Sequence, residues 1–407
     1  MQTVHEVIEM SGHIIDSWTL PRAWDTIMDR GGNFDVEEMH VGHTKNDTSY
    51  VRLKISAPND EVLEQIISEL QQSGAVLLHA DDAHTTSVEE DGVLPEKFYS
   101  TTNLPTQVRL HGQWITVEHI EMDVAVVLDR KNGRAFCRPM HDVKRGDEVV
   151  IGHDGIRVQP YERDRERDTF AFMQSDVSSE KAKVRTIHNI AREMKEVRER
   201  NGKILFVLGP AVIHTGAGRY VAELIRKGYV QVIFGGNAVI THDVESALFG
   251  TSLGVNLASG EQMEGGHRNH LRAINAVRAV GSIDKAIEVG LLREGITYEA
   301  HTHHIPMILA GSVRDDGPMP GVISDMQEAQ AQMRAEVQNG VEMAIMVASM
   351  LHAIATGNLL PAHVRTVVVD INQSVVTKLA DRGSFQAAGL VTDVELFLRE
   401  LLEELSA

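Results

Sequence analysis

From residue 203 onward the chain carries short, nearly unbroken apolar runs at 204–208, 230–234, 254–257, 305–309 and 366–369. Several are rich in valine and isoleucine. A strand with one wet face alternates polar and apolar residues, whereas a strand covered by helices on both faces does not. These runs therefore predict a parallel sheet. Helical stretches at 218–227, 270–280, 326–339 and 340–355 separate them, so residues 203–407 read as a doubly wound, Rossmann-like α/β domain.

The first half has a different grammar. Residues 1–80 follow the order βαββαβ, with strands at 4–15, 34–41, 50–55 and 75–79 and helices at 20–30 and 58–73. That order predicts a ferredoxin-like α+β module. Residues 81–160 look all-β, with short runs at 124–128, 134–138 and 148–152 broken by Gly and Asp turns. Asn132-Gly133 is a strong hairpin signal. Residues 161–202 read as a charged linker and one long helix, 179–200, closing at Asn201-Gly202.

Size and charge narrow the function. A chain of 407 residues has room for two or three domains. Lys+Arg 39 against Asp+Glu 58 gives a net charge of −19, which argues against nucleic acid or an anionic membrane as partner. Cys137 is the single cysteine, so no intrachain disulfide forms; it reads as a small buried hydrophobe. With no signal peptide and no apolar run of membrane-span length, a cytoplasmic location is expected.

In a doubly wound sheet, ligands sit outside the carboxyl ends of the strands. The loop after 305–309 runs Ala310-Gly311-Ser312-Val313-Arg314-Asp315-Asp316-Gly317-Pro318-Met319-Pro320. Small residues let backbone approach a ligand, and its acids can grip hydroxyls or cations; an Asp-Gly-Pro turn is the plainer alternative. After 230–234 come Gly235-Gly236-Asn237-Ala238 and Thr241-His242-Asp243. Thr241 or Asp243 could equally cap a helix. His214-Thr215-Gly216-Ala217-Gly218 resembles a phosphate loop only loosely and reads equally as a turn. Arg268, in Gly265-Gly266-His267-Arg268, could hold a carboxylate or lie in a capping loop. His301, His303 and His304 suggest hydrogen bonding rather than a metal, and no metal site is expected. Asp370 ends the run 366–369, where an acid commonly meets ribose hydroxyls. Lys378 is catalytic if desolvated, or an ion-pair partner of Asp381. Asp393 reads as ribose ligand or helix cap, and Ser349 as a ring-packing or core residue.

Taken together, Gly235-Gly236-Asn237-Ala238 with Thr241-His242-Asp243, the Gly311–Pro320 loop and Thr377-Lys378-Leu379-Ala380-Asp381-Arg382-Gly383 resemble the archaeal-type ornithine cyclodeaminase family. That family shares a domain with the lysine-oxoglutarate reductase/saccharopine dehydrogenase enzymes and with the carboxyl-terminal part of the cyanobacterial arginine dihydrolase/ornithine cyclodeaminases. The NAD-binding part also resembles the fold of deoxyhypusine synthase. The resemblance implies tightly held NAD, an amino-acid substrate and conversion of ornithine to proline plus ammonia. It implies cofactor contacts at Asn237, Ala238, Asp316, Ser349, Met350, Leu351, Asp370, Asp393 and Val394. Arg268 and Arg314 become candidates for the substrate carboxylate, and Asp315, Asp381, His267 and Lys378 for proton transfer. Where the family pattern has a proline after Asn372, this chain has Gln373. Arginine dihydrolase activity is not expected, and a homo-oligomer is. Two other readings use the same loops: a net NAD-dependent amino-acid dehydrogenase, and a non-catalytic NAD- or amino-acid-binding regulator.

Overall fold

The computed structural model describes residues 3–15, 17–44, 47–78, 81–159, 179–263, 266–315, 317–374 and 387–407. It forms two compact units: Met1–Thr169 with Asn358–Ala362, and Phe170–Gly357 with His363–Ala407.

The first unit begins with β1 (Val4–Gly12), α1 (Thr19–Asp29), β2 (Asn33–His40), β3 (Ser49–Ala57), α2 (Asp60–Gln72) and a short β4 (Val76–Leu77). The strand order β2-β3-β1-β4, antiparallel throughout, is that of a ferredoxin-like sheet. Alternation in β3 explains its placement: Val51, Leu53 and Ile55 are fully buried, while Arg52 reaches Glu9 at 2.8 Å on the other face. The Asn59 side chain caps α2 by accepting from the Val62 N–H, 2.9 Å.

Seven further strands follow: β5 (His84–Ser87), β6 (Thr106–Leu110), β7 (Gln113–Glu118), β8 (Ala125–Asp129), β9 (Arg134–Arg138), β10 (Glu148–Ile151) and β11 (Ile156–Val158), in the order β11-β6-β7-β9-β8-β10-β5. The Asn-Gly hairpin joins β8 to β9, with Gly133 at φ 63° and Asn132 held by Asp129. Cys137 is buried there, and burial pushes its thiol up to about 12, so it is inert.

The second unit opens with α3 (Ser179–Glu199). Asn201 adopts φ 58° and the Gly202 N–H reaches back to the Val197 carbonyl, which closes the helix. Then come β12 (Lys203–Leu208), α4 (Ala211–His214), α5 (Gly218–Arg226), β13 (Val232–Gly236), α6 (Asn237–Phe249), β14 (Thr251–Ser252), β15 (Val255–Asn256), α7 (Asn269–Val280), α8 (Ile283–Glu288), α9 (Ile296–Thr302) and β16 (Met307–Ala310). The unit ends with α10 (Met326–Gln338), β17 (Val341–Val347), α11 (Leu351–Leu359), β18 (Arg365–Asp370), β19 (Ala387–Val391) and a last helix α12 (Val394–Ser406).

The large sheet is parallel, in the order β16-β13-β12-β17-β18-β19. Numbered from the first strand of this unit, that is 3-2-1-4-5-6, the Rossmann order. Phe206, Phe234 and Phe397 are fully buried around it. Two expectations are corrected. The stretch 340–355 is not one helix: Val341–Val347 is a central strand, and the helix starts only at Leu351. The run 254–257 is not a buried strand of the sheet: Val255–Asn256 pairs with Thr251–Ser252 in a small antiparallel ribbon, and Val255 also bridges Gln262.

Candidate functional site

Because the six strands are parallel, their carboxyl ends share one edge. The loops after β12, β13, β16, β17, β18 and β19 all leave from it. The chain switches direction across the sheet between β12 and β17, where such folds form their ligand crevice. There the two loops touch. The Gly209 N–H donates to the Val347 carbonyl at 2.9 Å, and a Cβ on Gly209 would lie 1.6 Å from the Ala348 oxygen. Only glycine allows this approach. Ala348 itself adopts φ 48°, a left-handed conformation uncommon for a residue with a Cβ.

Most of the residues singled out from the sequence fall on this rim. Asn237 and Ala238 begin α6 directly after β13, with no intervening loop. Ser349, Met350 and Leu351 lead into α11; Asp370 ends β18; Asp393 and Val394 follow β19. Ser349 is buried, while Met350 and Leu351 are exposed. Ile371 and Val391 are exposed apolar residues at the ends of the adjacent strands β18 and β19, and Val313 is exposed on the loop after β16, at the other edge of the sheet. An apolar rim over the mouth of a crevice is a common mark of a ligand surface. Asp393 caps α12, accepting from the Leu396 N–H at 3.0 Å, and Asp370 accepts from the Asn372 N–H at 2.7 Å.

The Gly311–Pro320 loop is latched to α6 through Asn237. Its carboxamide oxygen accepts from the Met319 N–H (3.0 Å) and the Thr241 hydroxyl (3.1 Å), and its nitrogen donates to Asp315 (3.0 Å). The other Asp315 oxygen accepts from the Ser312 N–H at 2.7 Å. His352, which the sequence reading overlooked, lies beside this latch. Burial holds its imidazole below the usual histidine range, against the opposing pull of the Ala310 carbonyl and the Asp315 charge. Its ring fills the space a side chain on Gly236 would need, with a Cβ there 2.8 Å from Cε1.

A second polar cluster joins α4, α6 and α7. His242 and the fully buried Glu245 are one turn apart on α6, Nδ1 to Oε2 2.8 Å. Glu245 also accepts from the Thr251 hydroxyl (2.8 Å) and the Gly254 N–H (3.1 Å). Burial opposes its charge, but the hydrogen bonds from His242, Thr251 and Gly254 win, and its carboxyl sits below the ordinary range. His214, on α4, meets the His242 ring edge-on with centroids 4.7 Å apart, and its Nδ1 lies 2.7 Å from the Ser252 hydroxyl. Burial, then the neighbouring His242, pull His214 down to about 4. Asp243 serves another purpose: it accepts from the Ile296 and Thr297 N–H groups and so caps α9.

The remaining candidates are less central. Arg314 is exposed on its loop, and Arg268 is exposed where α7 begins. The His214–Gly218 stretch is a turn between two helices, with Gly216 at φ 76°. His301 pairs with Asp284 and His303 with Glu299. Asp316, Lys378 and Asp381 lie outside the described residues, as does the side chain of His267.

The chain matches three family descriptions in succession: the conserved region of LOR/SDH bifunctional enzymes over residues 5–104, the first carboxyl-terminal region of ArgZ-like arginine dihydrolases over 105–187, and their Rossmann-fold region over 188–401. It is 51% identical over 401 residues to the ornithine cyclodeaminase of Methanopyrus kandleri, covering 98% of this chain and 97% of the relative. It is 45% identical to the bifunctional arginine dihydrolase/ornithine cyclodeaminase AgrE of Nostoc, covering 98% of this chain but 58% of that protein. Among solved structures, cyanobacterial apo ArgZ superposes with a TM-score of 0.87 at 38% identity, covering 99% of this chain and 58% of that one. AgrE in ternary complex with ornithine and NAD+ gives 0.54 at 43% identity, with the same coverage. Identity sustained over almost the whole length of both chains makes this chain a member of the archaeal-type ornithine cyclodeaminase family.

Proposed function

We propose that the chain converts L-ornithine to L-proline and ammonia, with NAD held along the carboxyl rim of the large sheet. The observation that carries this reading is the rim itself. It combines a side-chain-free loop contact at Gly209 and Ala348, an acid at the end of β18, and exposed apolar residues on the flanking loops. These features fit a dinucleotide: close backbone approach, a partner for ribose hydroxyls, and surfaces for flat rings. Asp370 would also repel a 2′-phosphate, which favours NAD over NADP.

NAD supplies the redox chemistry, taking up hydride from the substrate's α-carbon and returning it after ring closure. The protein has other work to do. It must orient two amines, hold the carboxylate and move protons. Arg314 is our choice for the carboxylate, because it stands exposed on the loop that Asn237 latches to the rim; Arg268 is the alternative. Asp315 fixes that loop. Asp381, Lys378 and His267 stay as proposed proton-transfer groups. A homo-oligomer working in the cytoplasm completes the proposal and accords with an inert, buried lone cysteine.

The test is to incubate the purified chain with ornithine and a trace of NAD. We expect proline and ammonia in equal amounts and no accumulation of NADH absorbance. Stoichiometric NADH would point instead to a net dehydrogenase. Absence of proline across a range of pH would overturn the assignment.

A further inference from the structure

The mechanism above needs a group that accepts a proton from an ammonium, because only the free amine can give up hydride from its α-carbon or attack as a nucleophile. The sequence reading looked for that group among Asp315, Asp381, His267 and Lys378. The described side chains offer a different one. α4 starts three residues beyond the end of β12 and α6 starts immediately beyond β13, so both helices stand over the ends of adjacent strands. His214 and His242 face one another between them, 4.7 Å apart. Residues four apart share a helix face, so His242 lies one turn beyond Ala238 on the same face of α6, with its Nδ1 turned to Glu245. Behind it, Glu245 is locked by donors from His242, Thr251 and Gly254. Glu245 is wholly inside the protein, and His242 nearly so. A buried carboxylate that orients an imidazole, which in turn abuts a second and more accessible imidazole, is an expensive arrangement to maintain for packing alone.

We propose that His214, beside the groups already named, transfers protons at the reacting nitrogens, and that His242 and Glu245 are its positioning residues. This rests on the ornithine reading. The two substrate ammoniums give up one proton each, in turn, to the free ring nitrogen of His214, which passes the first on to water before taking the second. One proton returns to the departing ammonia, which leaves as ammonium, and one to the ring nitrogen of proline. The balance closes: the ornithine cation becomes neutral proline plus one ammonium ion, with no net proton change. The Glu245 charge favours the transient imidazolium through space, and His242, held by Glu245, packs edge-on against the His214 ring and fixes it. Burial keeps the resting His214 ring unprotonated at neutral pH, so it stands ready to accept a proton. His270, on α7, lies 6.3 Å from His242 and completes the polar wall.

The experiment uses the full chain with ornithine and NAD. His214→Asn keeps a polar group near Ser252 but removes the outer ring nitrogen. We expect kcat to fall by about 10²–10⁴ with KM and NAD affinity little changed. Glu245→Gln should lower kcat by roughly tenfold or more, again without a matching change in KM. Added imidazole should restore part of the activity of His214→Ala, which a purely structural role would not permit. On the unmodified protein, diethyl pyrocarbonate should inactivate in step with modification of His214, as mapped by mass spectrometry, with ornithine plus NAD protecting. Full activity in His214→Asn, or full modification of His214 with activity retained, overturns the proposal and leaves the ornithine reading standing. An unmodified chain that makes no proline overturns both.

Discussion

At Asn237 one carboxamide makes three hydrogen bonds, to Met319, Thr241 and Asp315, and so holds the long loop after β16 against the start of α6. Asn237→Leu leaves the Met319 N–H and an Asp315 oxygen without that partner. The expected cost is about 1–3 kcal/mol, read as a lower urea midpoint, together with weaker NAD binding. His214 gives a prediction in pH. Its folded value, about 4, lies below the ordinary 6.5, so the stability it contributes is present above pH 6.5 and drains away as pH falls toward 4. His352 shifts in the same direction. Urea midpoints should therefore drop between pH 7 and pH 4. In His214→Asn the drop should be shallower by no more than about 1–2 kcal/mol, because the ring is half-exposed and water screens it. Parallel curves for the two proteins would refute this. The long-range partnerships, Asn237 with Met319 and Asp315 and His214 with His242 and Ser252, could not be read from the sequence, since they join groups far apart in the chain. Asp315 and Asn237 were noticed for their residue types, but His214, His242 and Glu245 carried no spacing signal that marked them as one cluster.

Elements were more legible than side chains. Runs such as 204–208 announced buried parallel strands because nothing polar interrupts them. The strand Val341–Val347 escaped because its sequence, VEMAIMV, is rich in good helix formers and runs into the apolar helix beyond it. Burial between β12 and β18 overrides that preference. The run 254–257 misled in the opposite sense: its glycine and asparagine serve a two-residue ribbon, too short for a sheet. Gly209 ties the two central strands together at their ends. Gly209→Ala drives a methyl into the Ala348 carbonyl, where backbone cannot step aside cheaply. A loss of about 3 kcal/mol, at the upper end for overpacking, is expected by chemical denaturation. Asp393 permits a cleaner dissection. Asp393→Ser keeps a capping oxygen for α12, whereas Asp393→Ala removes it at a cost of about 1 kcal/mol. If NAD titrations show both variants equally weakened, the carboxylate meets the cofactor; if affinity is unchanged in the serine variant, it only caps.

For the molecule as a whole, a net charge of −19 means that the folded chain repels itself. Moderate salt should raise the melting temperature, and a flat response between low and physiological ionic strength would contradict this account. NAD at a hundredfold excess over its dissociation constant should add about 2.7 kcal/mol, visible as a concentration-dependent melting shift. The broad division into a ferredoxin-like start, a β module and a Rossmann-like second half was legible in advance, since each part has its own hydrophobic rhythm. The excursion of Asn358–Ala362 into the first unit was not. Those five residues supply the Asn358 carbonyl that takes the Met122 N–H, and the Ala362 N–H that meets the Asn103 carbonyl. A gene severed after codon 169 would therefore encode a first half lacking one of its own stitches, so evolution cannot shuffle this unit as a simple cassette.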